Sequence, residues 1–221
     1  GDYDIDGVCS TYILFKALGR IGALVDYEIP DRVKDGYGIN EHIIEAAYED
    51  GVDTILTCDN GISAVEQMRR ARELGMTVII TDHHDIAREE GRDILPQADA
   101  VVNPKQQDCA YPWKEICGAV VAYKVVKVLY ERHGIGDHEW EEMMEFAAIA
   151  TVGDVMRLQD ENRIRRKGMA GEIRKCLHQQ GFGGVHIGMS RVYEEPMMID
   201  CAYGEAVRAL EHVQGLKGGD Y

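Results

Sequence analysis

The stretch VDTILTCDNGISAVEQMRRARELGMTVIITDHHD, residues 52–85, decides the fold of this chain. Its β-branched run at 53–57 predicts a strand, its helical spacing at 64–74 predicts a helix, and residues 77–81 predict a second strand. Strand, helix and strand in this order indicate two parallel strands joined by a right-handed crossover. Polar motifs that follow the two strands should therefore meet at one edge of the sheet, where open α/β folds gather ligands.

The same alternation of elements continues on both sides of this stretch. Further strands are predicted at 23–29 and 98–102, and further helices at 8–18, 41–48, 117–132, 139–151 and 163–177. We therefore expect an α/β fold with a mostly parallel sheet of about five strands flanked by helices. Its motifs should lie at the C-terminal ends of the strands.

Four short motifs carry the residues that could bind metal: GDYDIDG at 1–7, TCDNG at 57–61, TDHHD at 81–85 and ATVGD at 150–154. Hard oxygens come from Asp4, Asp6, Asp59 and Asp154, and His83 adds one borderline nitrogen. This mixture suits Mn²⁺ or Mg²⁺. A pair of ions about 3.5 to 4 Å apart needs a bridging carboxylate, and Asp59 is the candidate.

Simpler interpretations exist for each motif taken alone. An Asp-Gly or Asp-Asn-Gly is usually a turn, and adjacent histidines are usually surface or core residues. Four such motifs in one chain favour a two-metal site instead. In the first motif Asp2 would share a strand face with Asp4 and Asp6, so a strand-end turn at residues 5–7 decides which carboxylates are used. The six cysteines form no CxxC pair, which argues against structural zinc.

Composition bounds the remaining possibilities. A chain of 221 residues with 45% apolar residues can hold a full α/β core. Irregularly spaced cysteines, no apolar run of about 18 residues and no signal-like start predict a cytoplasmic protein outside the membrane. The formal net charge of −15 is unfavourable for binding a nucleic-acid backbone. The clustered carboxylates explain part of this charge, since two divalent cations would offset them.

The four motifs, in this order, resemble those of the DHH phosphoesterase superfamily over roughly the first 165 residues. IPDRVKDGYGIN at 29–40 and NPKQQDCAYPWKEICGAVVAYK at 103–124 are similar to its RecJ-type single-strand-specific exonucleases rather than to its pyrophosphatases. This resemblance implies a DHH catalytic domain at 1–185. The segment 186–221 would be the start or remnant of a further domain. The family's Gly-rich substrate-binding motif is not found here, so we expect a truncated enzyme.

The resemblance also implies roles for individual residues. Two Mn²⁺ or Mg²⁺ ions would be held by Asp4, Asp6, Asp59, His83 and Asp154. His84 would be directed at the scissile phosphate, and Asp82 would orient the histidine pair.

Other residues are candidates for substrate contact. Arg32 could bind a phosphate by bidentate geometry or be a surface arginine. Asn162 and Arg163 could touch substrate or merely start a helix. Tyr111 and Trp113 could stack on unpaired bases or anchor their loop on the core.

The function implied by the resemblance is 5′→3′ exonucleolytic hydrolysis of single-stranded DNA in repair or recombination. Single-stranded DNA would be the substrate, and a single-strand-binding protein or a helicase could be a partner. Two alternatives remain open. One is a phosphodiesterase for oligoribonucleotides or cyclic dinucleotides, and the other is a non-catalytic binding fragment.

Overall fold

A three-stranded parallel sheet lies at the centre of the described part of the chain. The structure is a computed structural model that describes residues 1–30 and 38–162. The strands of this sheet are β1 (Thr54–Cys58), β2 (Thr77–Thr81) and β5 (Ala100–Val102). Between β2 and β5, the two-residue strands β3 (Arg88–Glu89) and β4 (Arg92–Asp93) pair with each other. The order is β1-β2-β5, and Cys58 pairs with Thr81, which pairs with Val102. The C-terminal ends of β1 and β2 are therefore level.

Helices cover both sides of this sheet and form two cores. They are α1 (Ile5–Arg20), α2 (Glu41–Glu49), α3 (Val65–Glu73), α4 (Gly118–Arg132), α5 (Asp137–Glu141) and α6 (Met144–Gly153). The first core joins α1, α4 and α6 through buried side chains such as Ile13, Val120 and Ala147. The second joins α2, α3 and the sheet through Ile44 and Met68. These two layers of helices around a parallel sheet confirm the predicted α/β class.

Three details of the prediction were wrong. The parallel sheet has three strands among the described residues, not about five. Residues 23–29 form no strand, because Leu24 and Tyr27 are exposed and the apolar pattern of this segment buries no sheet face. The predicted helix at 139–151 is divided into α5 and α6 by a turn, in which the Met143 N–H donates to Trp140 O at 3.1 Å.

The position of the first motif also differs from the prediction. It forms the start of α1 instead of the end of a strand, and the Asp4 carboxylate caps that helix by accepting from Gly7 N at 2.9 Å. The Gly1 amino group donates to Glu28 O at 2.9 Å, which joins the motif to the segment 23–29. The fourth motif lies at the end of α6, as predicted.

Residues 1–156 form one compact unit, and residues 157–221 form another. The domain boundary expected near residue 185, the helix expected at 163–177, and the candidate contacts Arg32 and Arg163 lie outside the described residues. In the described ranges, each helix is too short or too polar to span a lipid bilayer.

Candidate metal centre

The sheet edge brings all four motifs together. Asp59 directly follows β1, and the segment Asp82-His83-His84 directly follows β2. Asp6 approaches from the first turn of α1, and Asp154 approaches from the C-terminal end of α6. Level strand ends and two helix termini therefore place carboxylates and imidazoles around one small volume.

Asp59 is the most constrained of these acids. Its backbone adopts φ 56°, its N–H donates to Thr81 O at 3.0 Å, and the residue is 1% exposed. Burial raises the pKa of the Asp59 carboxyl to about 10, and the negative charges of Asp6 and Asp4 act in the same direction. A carboxyl group in this position needs a compensating cation to ionise near neutral pH.

Asp6 is fully buried, and its side chain contacts the first turn of α4. Its two carboxylate oxygens accept from Gly118 N at 2.6 Å and from Ala119 N at 2.7 Å. These N–H groups have no partner within their own helix, and the helix N-terminus carries partial positive charge. The start of α4 therefore holds both oxygens of the Asp6 side chain in place.

His83 is the point on which three acids converge. Its Nε2 lies 3.1 Å from Asp59 Oδ1, 3.5 Å from Asp6 Oδ2 and 3.7 Å from Asp154 Oδ2. Burial lowers the pKa of the His83 imidazole, so the ring is neutral near pH 7 and retains a lone pair for a metal. Burial also raises the pKa of Asp154, although His83 opposes that shift.

The arrangement contains an unsatisfied buried acceptor. Asp59 Oδ1 is buried and accepts no hydrogen bond from the described residues, even though His83 Nε2 is close to it. Such an orphaned oxygen is costly unless something else binds it. A divalent cation would satisfy it, and carboxylate oxygens with a single imidazole are the donors that Mn²⁺ and Mg²⁺ accept.

The ligand atoms form overlapping groups that could hold more than one ion. Within each group the atoms lie within 4.8 Å of one another; the groups are Asp6, His83 and Asp154, then Asp2, Asp4 and Asp59, and then Asp59, His83 and His84. Asp59 belongs to two groups, which supports its candidacy as a bridging ligand. Asp2, whose use the sequence left open, is 3% exposed and also joins the cluster.

Asp82 forms the support beneath the histidine pair. Its Oδ1 accepts from His83 N at 2.7 Å and lies 2.7 Å from His84 Nδ1, while its Oδ2 accepts from Ile62 N at 2.9 Å. Burial alone would raise the pKa of Asp82, but the hydrogen bond and charge of His84 outweigh it and lower that pKa. The same hydrogen bond raises the pKa of His84 to about 9. The partly exposed His84 ring is therefore cationic at neutral pH.

The structure also bears on residues beyond the four motifs. Tyr111 and Trp113 pack against the core of α1, α4 and α6, and the Lys124 ammonium lies 4.8 Å from the centre of the Tyr111 ring. These contacts favour the interpretation that both aromatic residues anchor their loop. The buried Asn162 donates from Nδ2 to Arg157 O at 3.0 Å, so its contact with substrate stays a prediction.

Gly118 is the residue of this centre that the sequence reasoning missed. An added Cβ at Gly118 would lie 2.7 Å from both the Cβ and Oδ1 atoms of Asp59. The available signal was its place in the ICGAVVAYK stretch, immediately before an apolar helix. That pattern predicts the helix but not what its first turn touches.

Known proteins are similar to this chain in sequence and in fold. Residues 1–153 match the sequence model described as the DHH family, N-terminal domain. The chain is 44% identical over 164 residues to the single-stranded-DNA-specific exonuclease RecJ of Bacillus subtilis, covering 74% of this chain and 20% of that protein. It is 36% identical over 174 residues to the RecJ of Escherichia coli, covering 74% of this chain and 29% of that protein.

Two solved structures are also similar. One is a crystal structure of exonuclease RecJ bound to manganese, with a TM-score of 0.69 and 32% identity, covering 84% of this chain and 47% of that one. The other is RecJ from Thermus thermophilus in complex with Mn²⁺, with a TM-score of 0.64 and 27% identity, covering 96% of this chain and 31% of that one. The chain thus spans only a fifth to under a third of the length of the two curated relatives. On the match over residues 1–153, the chain belongs to the DHH family.

Proposed function

We propose that this chain carries the catalytic domain of a metal-dependent exonuclease that acts on single-stranded DNA in repair or recombination. The observation that carries the proposal is the convergence of Asp6, Asp59 and Asp154 on His83, with the buried Asp59 Oδ1 left without a hydrogen bond. The similarity to RecJ exonucleases supports the choice of substrate. The 5′→3′ polarity and the extent of the catalytic domain, 1–185, follow from the family resemblance.

The proposed ligands are those named from the sequence: Asp4, Asp6, Asp59, His83 and Asp154. Their donor set fits two Mn²⁺ or Mg²⁺ ions, and Mn²⁺ is the ion bound in the two similar RecJ structures. When bound, such ions activate water and neutralise charge that develops on phosphate oxygens. With that chemistry available, the chain needs no serine or cysteine nucleophile.

The remaining residues bind and orient the phosphate. Asp82 holds His84 by the 2.7 Å contact to Nδ1 and keeps its ring protonated, with a pKa raised to about 9. The cationic ring then donates to a phosphate oxygen of the scissile bond, and its positive charge grows more favourable as negative charge accumulates. Arg32, Asn162 and Arg163 are the proposed contacts to the rest of the strand.

The overall charge bears on substrate binding. A chain with a net charge of −15 binds a DNA backbone weakly by itself, since backbone affinity depends on Lys and Arg. The matched residues make up only 20% and 29% of the two curated relatives, whose remaining length can supply further contacts to the strand. A single-strand-binding protein or a helicase is the proposed delivering partner. A cytoplasmic location is part of the proposal, supported by the free thiols of Cys9, Cys58, Cys109 and Cys117.

The test is hydrolysis of 5′-labelled single-stranded and double-stranded oligonucleotides in Mn²⁺, in Mg²⁺ and in EDTA. The wild type should release 5′ mononucleotides from single strands in Mn²⁺, and Asp154→Ala should abolish this release. Asp50→Ala, which removes an exposed acid at the end of α2, is the matched control and should retain activity. A dinucleotide substrate belongs in the same assay. Cleavage of the dinucleotide alone would replace the proposal with a small-substrate phosphodiesterase.

A further inference from the structure

The first turn of α4 contacts two candidate metal ligands at once. Gly118 N and Ala119 N each donate to a different oxygen of Asp6, at 2.6 and 2.7 Å. Both contacts are buried, and they use two N–H groups that a helix start leaves unpaired. The paired geometry fixes the rotation of the Asp6 carboxylate. The plane of this group is therefore set by α4 and not by α1, which carries the residue.

Gly118 lies closer to Asp59, the second of these ligands, than a residue with a side chain could. A Cβ at this position would lie 2.7 Å from Asp59 Cβ, 2.7 Å from Asp59 Oδ1 and 2.9 Å from Asp59 Cγ. Real Cβ atoms essentially never show contacts under 3.0 Å. Asp59 has little room to yield, because it is 1% exposed and its N–H is held by Thr81 O. A side chain at position 118 would therefore displace the Asp59 carboxylate.

The residue before Gly118 extends this contact towards a third ligand. Cys117 Sγ lies 3.7 Å from Thr151 Oγ1, and that hydroxyl donates to Ala147 O within α6 at 2.7 Å. Asp154 follows α6 directly. The start of α4 is thus in contact with the elements or side chains that present Asp6, Asp59 and Asp154.

We propose that Gly118 is a positioning residue of the metal centre. Its N–H orients Asp6, and its missing side chain leaves the space in which Asp59 presents its carboxylate. Gly118 touches the ligands and not the substrate, so it acts through them. The inference rests on the proposed metal centre.

The first test measures Mn²⁺ affinity of Gly118→Ala in the full 221-residue chain by isothermal titration, with the electron paramagnetic resonance spectrum of bound Mn²⁺ as a second readout. Residues that orient metal ligands typically change affinity by roughly 10- to 100-fold when they are altered, and we expect a loss in that range together with a changed spectrum. Gly19→Ala is the matched control. Gly19 lies in helical α1 with nothing near its added Cβ, so this change should leave affinity unaltered. Wild-type affinity and spectrum in Gly118→Ala would overturn the inference.

The second test separates positioning from general damage to the fold. Asp59→Gly removes the three atoms that lie nearest to the new Cβ, namely Cβ, Cγ and Oδ1 of Asp59, and glycine suits the φ of 56° at this position. In EDTA, Gly118→Ala should lower the thermal unfolding midpoint of the wild type but not that of Asp59→Gly. If the single variant does not fold, the double variant should fold. An equal loss in both backgrounds, or a double variant that does not fold, would overturn the inference.

These readouts keep the two proposals distinguishable. A wild type that binds Mn²⁺ but degrades no DNA would refute the exonuclease and leave the role of Gly118 standing. Conversely, an active exonuclease whose Gly118→Ala variant binds Mn²⁺ normally would refute only the role of Gly118.

Discussion

Replacing Asp82 by alanine should destabilise the protein strongly even without metal. The carboxylate is 1% exposed and accepts two buried main-chain hydrogen bonds, from Ile62 N at 2.9 Å and from His83 N at 2.7 Å. A buried donor left unpaired costs about 1–3 kcal/mol, so the loss should be about 2–6 kcal/mol. Natural domains have only about 5–15 kcal/mol of unfolding free energy. Asp82→Ala should therefore lie near the threshold of folding.

The assay is urea denaturation in EDTA followed by circular dichroism, which gives the free energy of unfolding without any contribution from bound metal. Asp85→Ala is the control, because Asp85 belongs to the same motif but its side chain is 93% exposed and pairs with Lys105. An exposed ion pair is worth about 0–1 kcal/mol, so this variant should remain close to the wild type. If the two variants lose the same free energy, the argument that Asp82 holds the loop after β2 is refuted.

Four further predictions follow from the same geometry. Asp59→Ala should abolish Mn²⁺ binding more completely than His84→Ala, because a bridging ligand serves both ions; equal losses in isothermal titration would contradict these roles. Binding of Mn²⁺ at pH 7 should release protons, since the metal must displace the one held by Asp59 at a pKa of about 10, and the observed heat should vary with buffer ionisation enthalpy. In EDTA, the thermal unfolding midpoint should fall from pH 7 to pH 9. The pKa values in the folded protein are about 10 for Asp59 and about 9 for His84, above their ordinary values of 3.8 and 6.5. The folded state therefore binds more protons than the unfolded state in this pH range and loses stability as the pH rises. A rising thermal midpoint would exclude that assignment. Val155→Asn should raise the thermal unfolding midpoint by about 2 °C. Val155 is 86% exposed and its backbone is strained at φ 53°, a conformation that asparagine tolerates better. An unchanged or lower midpoint would argue against strain at this position.

Local sequence specifies some elements of this fold and not others. The run from β1 through α3 to β2 was predicted correctly, because β-branched runs and helical spacing are local signals. Residues 23–29 carry a similar apolar pattern but form no strand, since a strand also needs a neighbouring strand and a face to bury. The break between α5 and α6 was likewise missed, because it depends on how two short helices pack on α1 and α4.

For the candidate site, the sequence indicated the ligand types and the sheet edge. Asp59 and the segment Asp82-His83-His84 follow strands whose level ends are dictated by parallel pairing, so their proximity could be predicted. The role of the exposed Asp4 as the N-cap of α1 could not be predicted, because the motif was expected at the end of a strand. Whether Asp2 joins the cluster was also left to the structure, which places it within reach of Asp4 and Asp59.

The amino-acid sequence by itself determined the α/β class, the family, and the oxygen-rich donor set that favours Mn²⁺ or Mg²⁺. Only the tertiary structure decided that the first turn of α4 orients Asp6 and that Gly118 leaves room for Asp59. Asp6 and Gly118 are 112 positions apart in the chain. No local pattern encodes such a contact, because it arises from the packing of α1 against α4 and from the one residue type small enough to fit between them.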